Sequence, residues 1–162
     1  MKRERVAEDV YVFYSDTYAQ AAAGVLLIPE GAIVIDTLPF PHETEQVLHF
    51  VADQGIPTVR FVINTHFHGD HSYGTCLFKD ATVISHRYCR EALLSQGERR
   101  LGEAKQHTPS LQDVTIRLPD IVFDEEMHLH FGGRTLWLCY LPGHTDDSIG
   151  VMIEGDRILF SG

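Results

Sequence analysis

Cysteine is scarce in this sequence. Cys76, Cys89 and Cys139 are the 3 cysteines of 162 residues, an odd number without paired spacing, which excludes a disulfide framework and fits a reducing cytoplasm. All are expected to be buried thiols, with Cys139 filling a small apolar position in Leu136-Trp137-Leu138-Cys139-Tyr140. Long apolar runs are also missing. The longest, Ala21 to Ile28, is far too short to span a bilayer, so no membrane partner is expected. The amino terminus, Met1-Lys2-Arg3-Glu4-Arg5, leads into Glu8 and Asp9 instead of an apolar segment, so it is not a secretory signal. Basic residues are few: 13 Lys and Arg against 23 Asp and Glu give a formal charge of −10, which disfavours nucleic acid and anionic surfaces. The densest basic spot, Arg99-Arg100 followed by Lys105, reads as the solvated face of a helix. Ser72 lacks the Gly-x-Ser-x-Gly elbow of a serine hydrolase, and there is no internal repeat or low-complexity tract.

What is present suffices for one globular domain over residues 1–162, since 44% of residues are hydrophobic. Val10-Tyr11-Val12-Phe13-Tyr14, Ala23 to Ile28 and Ala32 to Ile35 are β-rich runs, and Pro29-Glu30-Gly31 between the last two reads as a hairpin turn. Pro41 to Asp53 carries Val47, Leu48 and Val51 at helical spacing, and Val59 to Ile63 is a buried strand, so strand, helix and strand follow in βαβ order. A short helix over 73–79, a strand over 81–85 and a helix over 86–96 are expected next. Residues 97–119 are polar and broken by Pro109 and Pro119, reading as helix then loop placed to overhang the site. From Ile121 to Phe160 the pattern is strand again, with Gly132-Gly133 and Gly155-Asp156 as turns.

Chemistry concentrates in Asn64-Thr65-His66-Phe67-His68-Gly69-Asp70-His71-Ser72, where the buried strand ends. In an extended segment residues i and i+2 share a side, so His66 and His68 can aim at one point, and Gly69 lets the backbone turn to bring Asp70 and His71 there. Imidazole nitrogen and carboxylate oxygen are ligands that Zn²⁺ prefers. His144 lies in the loop Leu141-Pro142-Gly143-His144-Thr145 between two strands. His128 and His130 alternate on what reads as a solvent face, and His42, His49, His86 and His107 read as surface or capping residues.

The His-x-His-x-Asp-His pattern resembles the signature of the metallo-β-lactamase superfamily. Val34-Ile35-Asp36-Thr37 is similar to that family's early strand ending in a structural Asp, and Pro142-Gly143-His144-Thr145 to its segment carrying a further ligand. Arg157 to Gly162 resembles the strand that precedes its metal-bridging Asp, with the chain stopping one residue short. The resemblance implies an α/β (α+β) fold, an αββα sandwich represented largely by its N-terminal half, a mixed sheet with helices on one face. It further implies one or two Zn²⁺ ions, with iron or manganese as alternatives. His66, His68 and His144 would form the first site, Asp70 and His71 contribute to a second, and Asp36 act from the outer shell.

Three neutral imidazoles leave a zinc position for water, whose hydroxide attacks while the metal polarises the substrate oxygen; Asp70 would orient it and take its proton. The expected activity is zinc-dependent hydrolysis of an ester, thioester, lactone or lactam bond in a small molecule. A nuclease-type member, or a metal-binding module without catalysis, is the alternative. An uncovered sheet face is expected to drive homo-oligomerisation.

Overall fold

The computed structural model of the chain describes residues 1–18 and 21–162. Strands β2 (Val10–Tyr14), β3 (Ala22–Ile28) and β4 (Gly31–Ile35) form the expected antiparallel meander, with Ile28 opposite Gly31 across the Pro29-Glu30 turn, and β1 (Lys2–Arg5) pairs with β2 at its edge. Every residue of β4 is buried, which is why its sequence is a continuous apolar run: both faces of the sheet are covered there. Strand β1 escaped the sequence reading because Lys2-Arg3-Glu4-Arg5 has no buried face. All four residues are exposed, and their charges blunt a sheet edge.

Helix α1 (Pro41–Asp53) has the boundaries expected, with proline at its first position. Its Val47, Phe50 and Val51 pack on Val25, Val34, Val62 and Val83. The helix crosses over to β5 (Val59–Ile63), which pairs parallel with β4, and β6 (Thr82–His86) and β7 (Ile121–Phe123) extend the sheet in parallel to seven strands in sequence order. Between β5 and β6 lie the one-turn helix α2 (Gly69–Ser72) and a 3₁₀ turn over Tyr73–Leu77.

After β6 the expected stop at Gln96 does not occur. Helix α3 (Arg87–Ala92) runs through a π segment, Leu93–Gly97, into α4 (Glu98–His107), and Gly97 keeps helical angles of φ −58° and ψ −53°. Gly97 is buried, and a Cβ there would press on the Ile116 side chain at 3.3 Å. The glycine thus serves close packing of the returning segment and not helix termination.

Strands β8 (Glu126–Phe131), β9 (Arg134–Tyr140), β10 (Ile149–Ile153) and β11 (Ile158–Phe160) form a second, antiparallel sheet in the order β11-β10-β9-β8. Its Leu136, Leu138, Ile149, Val151 and Ile153 pack on Val10, Leu26, Ile33, Ile35, Ile63 and Ile84 of the first sheet. The mixed sheet therefore has helices on one face, as the resemblance implied, and a second sheet on the other. The face left open is the outer side of the second sheet, where Trp137, Cys139 and Met152 are half-buried and Leu159 is exposed. Cys139 and Cys76 are thus only partly covered, contrary to expectation, while Cys89 is buried. Across the sheets, Arg134 Nη1 pairs with Asp9 at 3.0 Å and its other nitrogen with Asp156. Among the described residues no helix is long and apolar enough to cross a membrane.

Candidate metal centre

The site lies beyond the carboxyl ends of β4 and β5, where open α/β sheets gather ligands. Asp36 ends β4 with a left-handed φ of 58°, a conformation that Asp tolerates better than most residues. Its Oδ1 accepts the Thr65 amide at 2.8 Å, and its Oδ2 accepts the Thr65 hydroxyl at 2.7 Å and lies 2.8 Å from His71 Nδ1. The motif loop is held from the second sheet as well. Thr65 O accepts Ile149 N at 3.0 Å, and the buried Asp147 carboxylate accepts Phe67 N at 2.8 Å.

So anchored, the loop presents His66 and His68 beside His144. Ligating nitrogens of the three lie within 4.8 Å of one another, and their rings stand near perpendicular, 74° to 88°, with centroids 4.9 to 5.1 Å apart. His66 is buried, with Nδ1 3.1 Å from the Thr65 hydroxyl, while its Nε2 has no hydrogen-bond partner. His68 Nδ1 and His144 Nε2 face each other at 3.1 Å. Burial, reinforced by the neighbouring His71, lowers the His66 pKa to about 4; burial and His144 lower that of His68. Both rings are therefore neutral at pH 7, the protonation state that a metal requires.

The orphaned nitrogen is the test of fit. A buried polar atom without a partner costs about 1–3 kcal/mol, and His68 and His144 bring two further imidazole nitrogens to the same spot. A divalent cation removes that cost at one stroke, and an all-nitrogen, three-histidine donor set suits zinc. The residues present fit the metal that the fold implies.

Asp70 and His71 sit differently. His71 is wedged between carboxylates, Nδ1 on Asp36 and Nε2 3.4 Å from Asp70 Oδ2. Burial alone would lower its pKa, but the charge and hydrogen bonds of Asp36 and Asp70 outweigh it and raise the value to about 10. Burial likewise pushes Asp70 up, but His71 holds it below the ordinary carboxylate value. The converging set thus contains His66, His68 and His144, and the motif's Asp70 and His71 are occupied with each other and with Asp36. Gly69 has an unexpected reason: it lies in a helical turn, and any Cβ would strike the Tyr73 ring.

Of the other histidines, His42, His49, His107, His128 and His130 are exposed. His86 is buried, so the surface reading fails and the capping one holds. Its Nδ1 accepts Tyr88 N at 3.2 Å, its Nε2 contacts Asp124 O at 2.7 Å, and Tyr140 stacks on the ring. Asp147, which ties the motif loop to the loop bearing His144, went unnoticed in the sequence. Its one signal is the acidic pair Asp146-Asp147 just before a wholly apolar strand. Beside the histidines opens a cavity of about 390 Å³ bounded by His68, Asp70, Tyr73, Phe40, Leu111 and Arg100, so α4 does overhang the site.

Residues 17–162 match the family model of the metallo-beta-lactamase superfamily. Hydroxyacylglutathione hydrolase 1 of Vibrio vulnificus (strain YJ016) is 29% identical over 138 residues, 85% of this chain and 44% of that protein. A metallo-beta-lactamase from Pontibacter korlensis superposes with a TM-score of 0.77 at 22% identity, covering 99% of this chain and 70% of that one. The FEZ-1 metallo-beta-lactamase from Legionella gormanii gives 0.73 at 20% identity, covering 94% and 58%. The chain therefore spans less than half of the curated relative's length. With the fold, the motif and the family model in agreement, the chain belongs to the metallo-beta-lactamase superfamily.

Proposed function

We propose that the chain binds zinc through His66, His68 and His144 and serves hydrolysis of an ester, thioester, lactone or lactam bond. The observation that carries this reading is the buried, unpartnered His66 Nε2 beside the converging nitrogens of His68 and His144. Zinc so held supplies Lewis acidity, polarising a carbonyl oxygen and lowering the pKa of water. The chain's own residues do the rest. Asp70, held ionised by His71, borders the cavity and accepts the proton that an attacking water releases. His71, carrying a proton on each nitrogen, fixes the Asp70 carboxylate, and Asp36 fixes His71. Tyr73, Phe40 and Leu111 give the cavity an apolar and aromatic wall.

The test is turnover by zinc-loaded protein of 4-nitrophenyl acetate, a hydroxyacylglutathione thioester and a cephalosporin, the last two taken from the names of the relatives. Rates on one of them well above those of His66→Ala are expected. Because the chain spans only 44% of its curated relative, a metal-binding role without catalysis is the second reading, and wild-type rates no higher than those of His66→Ala would establish it.

A further inference from the structure

Arg100 stands on the wall of the cavity that His68 and Asp70 share. Arg3, Arg5, Arg60, Arg90 and Arg157, none of them on this cavity, form no ion pair among the described residues, whereas Arg87, Arg99, Arg117 and Arg134 each pair with an acid. Arg100 does not. Among the described residues no carboxylate lies within ion-pair distance of it, and neither of its terminal Nη groups has an acceptor. Yet the guanidinium is held in place. Its Nε donates to Gln96 Oε1 at 2.9 Å one helical turn back, and its Cζ lies 5.0 Å from the centre of the Phe67 ring. Phe67 is itself clamped by Asp147 between the two metal-site histidines of the motif.

A guanidinium fixed through Nε and a ring face, with both Nη groups free, is a fork for two parallel hydrogen bonds to an oxyanion, with little further entropy to lose on binding. We propose that Arg100 receives an anionic group of the substrate, a carboxylate or comparable oxyanion, whose scissile carbonyl lies toward His68 and Asp70. The intervening part of the substrate meets Phe40, Tyr73 and Leu111, an apolar and aromatic stretch of wall. The substrate class is thus an acyl compound with an anionic tail, and a neutral compound of the same shape lacks the partner that orients it. The proposal rests on the hydrolase reading for where the carbonyl goes, but the anion receptor itself exists with or without turnover.

Isothermal titration calorimetry with two unreactive probes separates the two. N-phenylsuccinamate carries a carboxylate on an amide. N-phenyl-4-methylpentanamide replaces that carboxylate with an isopropyl group. Wild-type protein, zinc-loaded and metal-free, is expected to bind the carboxylate probe at least tenfold more tightly than its neutral counterpart. Arg100→Ala should abolish this preference and Arg100→Lys keep part of it, with the neutral probe unchanged throughout. Because Arg100 is exposed, both variants should unfold at the wild-type temperature. A preference that survives in Arg100→Ala, one that disappears on removing the metal, or none in the wild type would overturn the proposal. Hydrolysis of 4-nitrophenyl acetate by the zinc-loaded wild type is measured separately. Its loss in His66→Ala reports on the hydrolase reading alone.

Discussion

His66 and His71 lie with ring centroids 4.2 Å apart, both buried, and their surroundings drive them in opposite directions. Around His66 the neighbours are two more imidazoles and no acid in hydrogen-bonding contact, so the ring stays neutral and one nitrogen is left without a partner. Around His71 two carboxylates close in, so the ring takes up a proton and both nitrogens are satisfied. One short motif thus places a buried nitrogen without a partner beside a ring that holds its proton between two carboxylates. The difference lies in Asp36, which reaches His71 from β4, and in His144, which reaches His66 and His68 from the second sheet.

Removing Asp36 should break the comparison most severely. Asp36→Ala strips the acceptor from the Thr65 amide and hydroxyl and leaves His71 without its partner, all in a buried setting. Breaking a buried charge pair from one side costs about 3–5 kcal/mol, and urea unfolding of the metal-free protein should show a loss of that size. Asp36→Asn keeps a side chain that tolerates the left-handed backbone and should lose less.

Asp147→Ala acts on the other side of the comparison. It frees the Phe67 amide and loosens the link between the two histidine-bearing loops without touching His71. Unfolding should cost about 1–3 kcal/mol for the unpaired buried donor. Zinc affinity, read by competition with a chelating dye, should fall about tenfold, the scale on which outer-shell partners act.

The pH dependence of the metal-free protein sharpens the contrast with a smaller effect. The folded pKa of His66, about 4, lies below its unfolded value near 6.5, so the unfolded chain binds the extra proton and stability falls as pH drops from 6.5 toward 4. The folded pKa of His71, about 10, lies above that value, so its contribution is full below 6.5 and lost as pH rises toward 10. The melting temperature should therefore peak near pH 6.5. In His71→Gln the decline on the alkaline side should flatten while the acid side persists.

Much of this was legible in the sequence where one rule governs a stretch. Pro41 and the helical spacing of Val47, Leu48 and Val51 mark α1 to the residue, and the apolar runs mark β3 to β6. The histidines of the motif were legible because three imidazoles within six residues seldom serve packing, whereas His144, alone in its loop, stood out only through the family resemblance. What escaped depends on partners distant in sequence. Gly97 reads as a breaker until Ile116 is seen against it, and Lys2–Arg5 reads as solvated until β2 supplies its hydrogen bonds. The division of the later strands into two sheets, with β7 in one and β8 in the other, falls within Phe123 to Glu126 and leaves no mark in apolar pattern. Asp147 and Arg100 look like ordinary surface charges until Phe67 is placed between them.

We propose that His66, His68 and His144, and not Asp70 and His71, make the cation site of this chain. Zinc content after saturation and dialysis, measured by inductively coupled plasma mass spectrometry, tests it most directly. The expected result is one equivalent in the wild type and in His71→Ala, and none in His66→Ala or His144→Ala. Zinc retained by His66→Ala at the wild-type level, or lost from His71→Ala as completely as from His144→Ala, would contradict it.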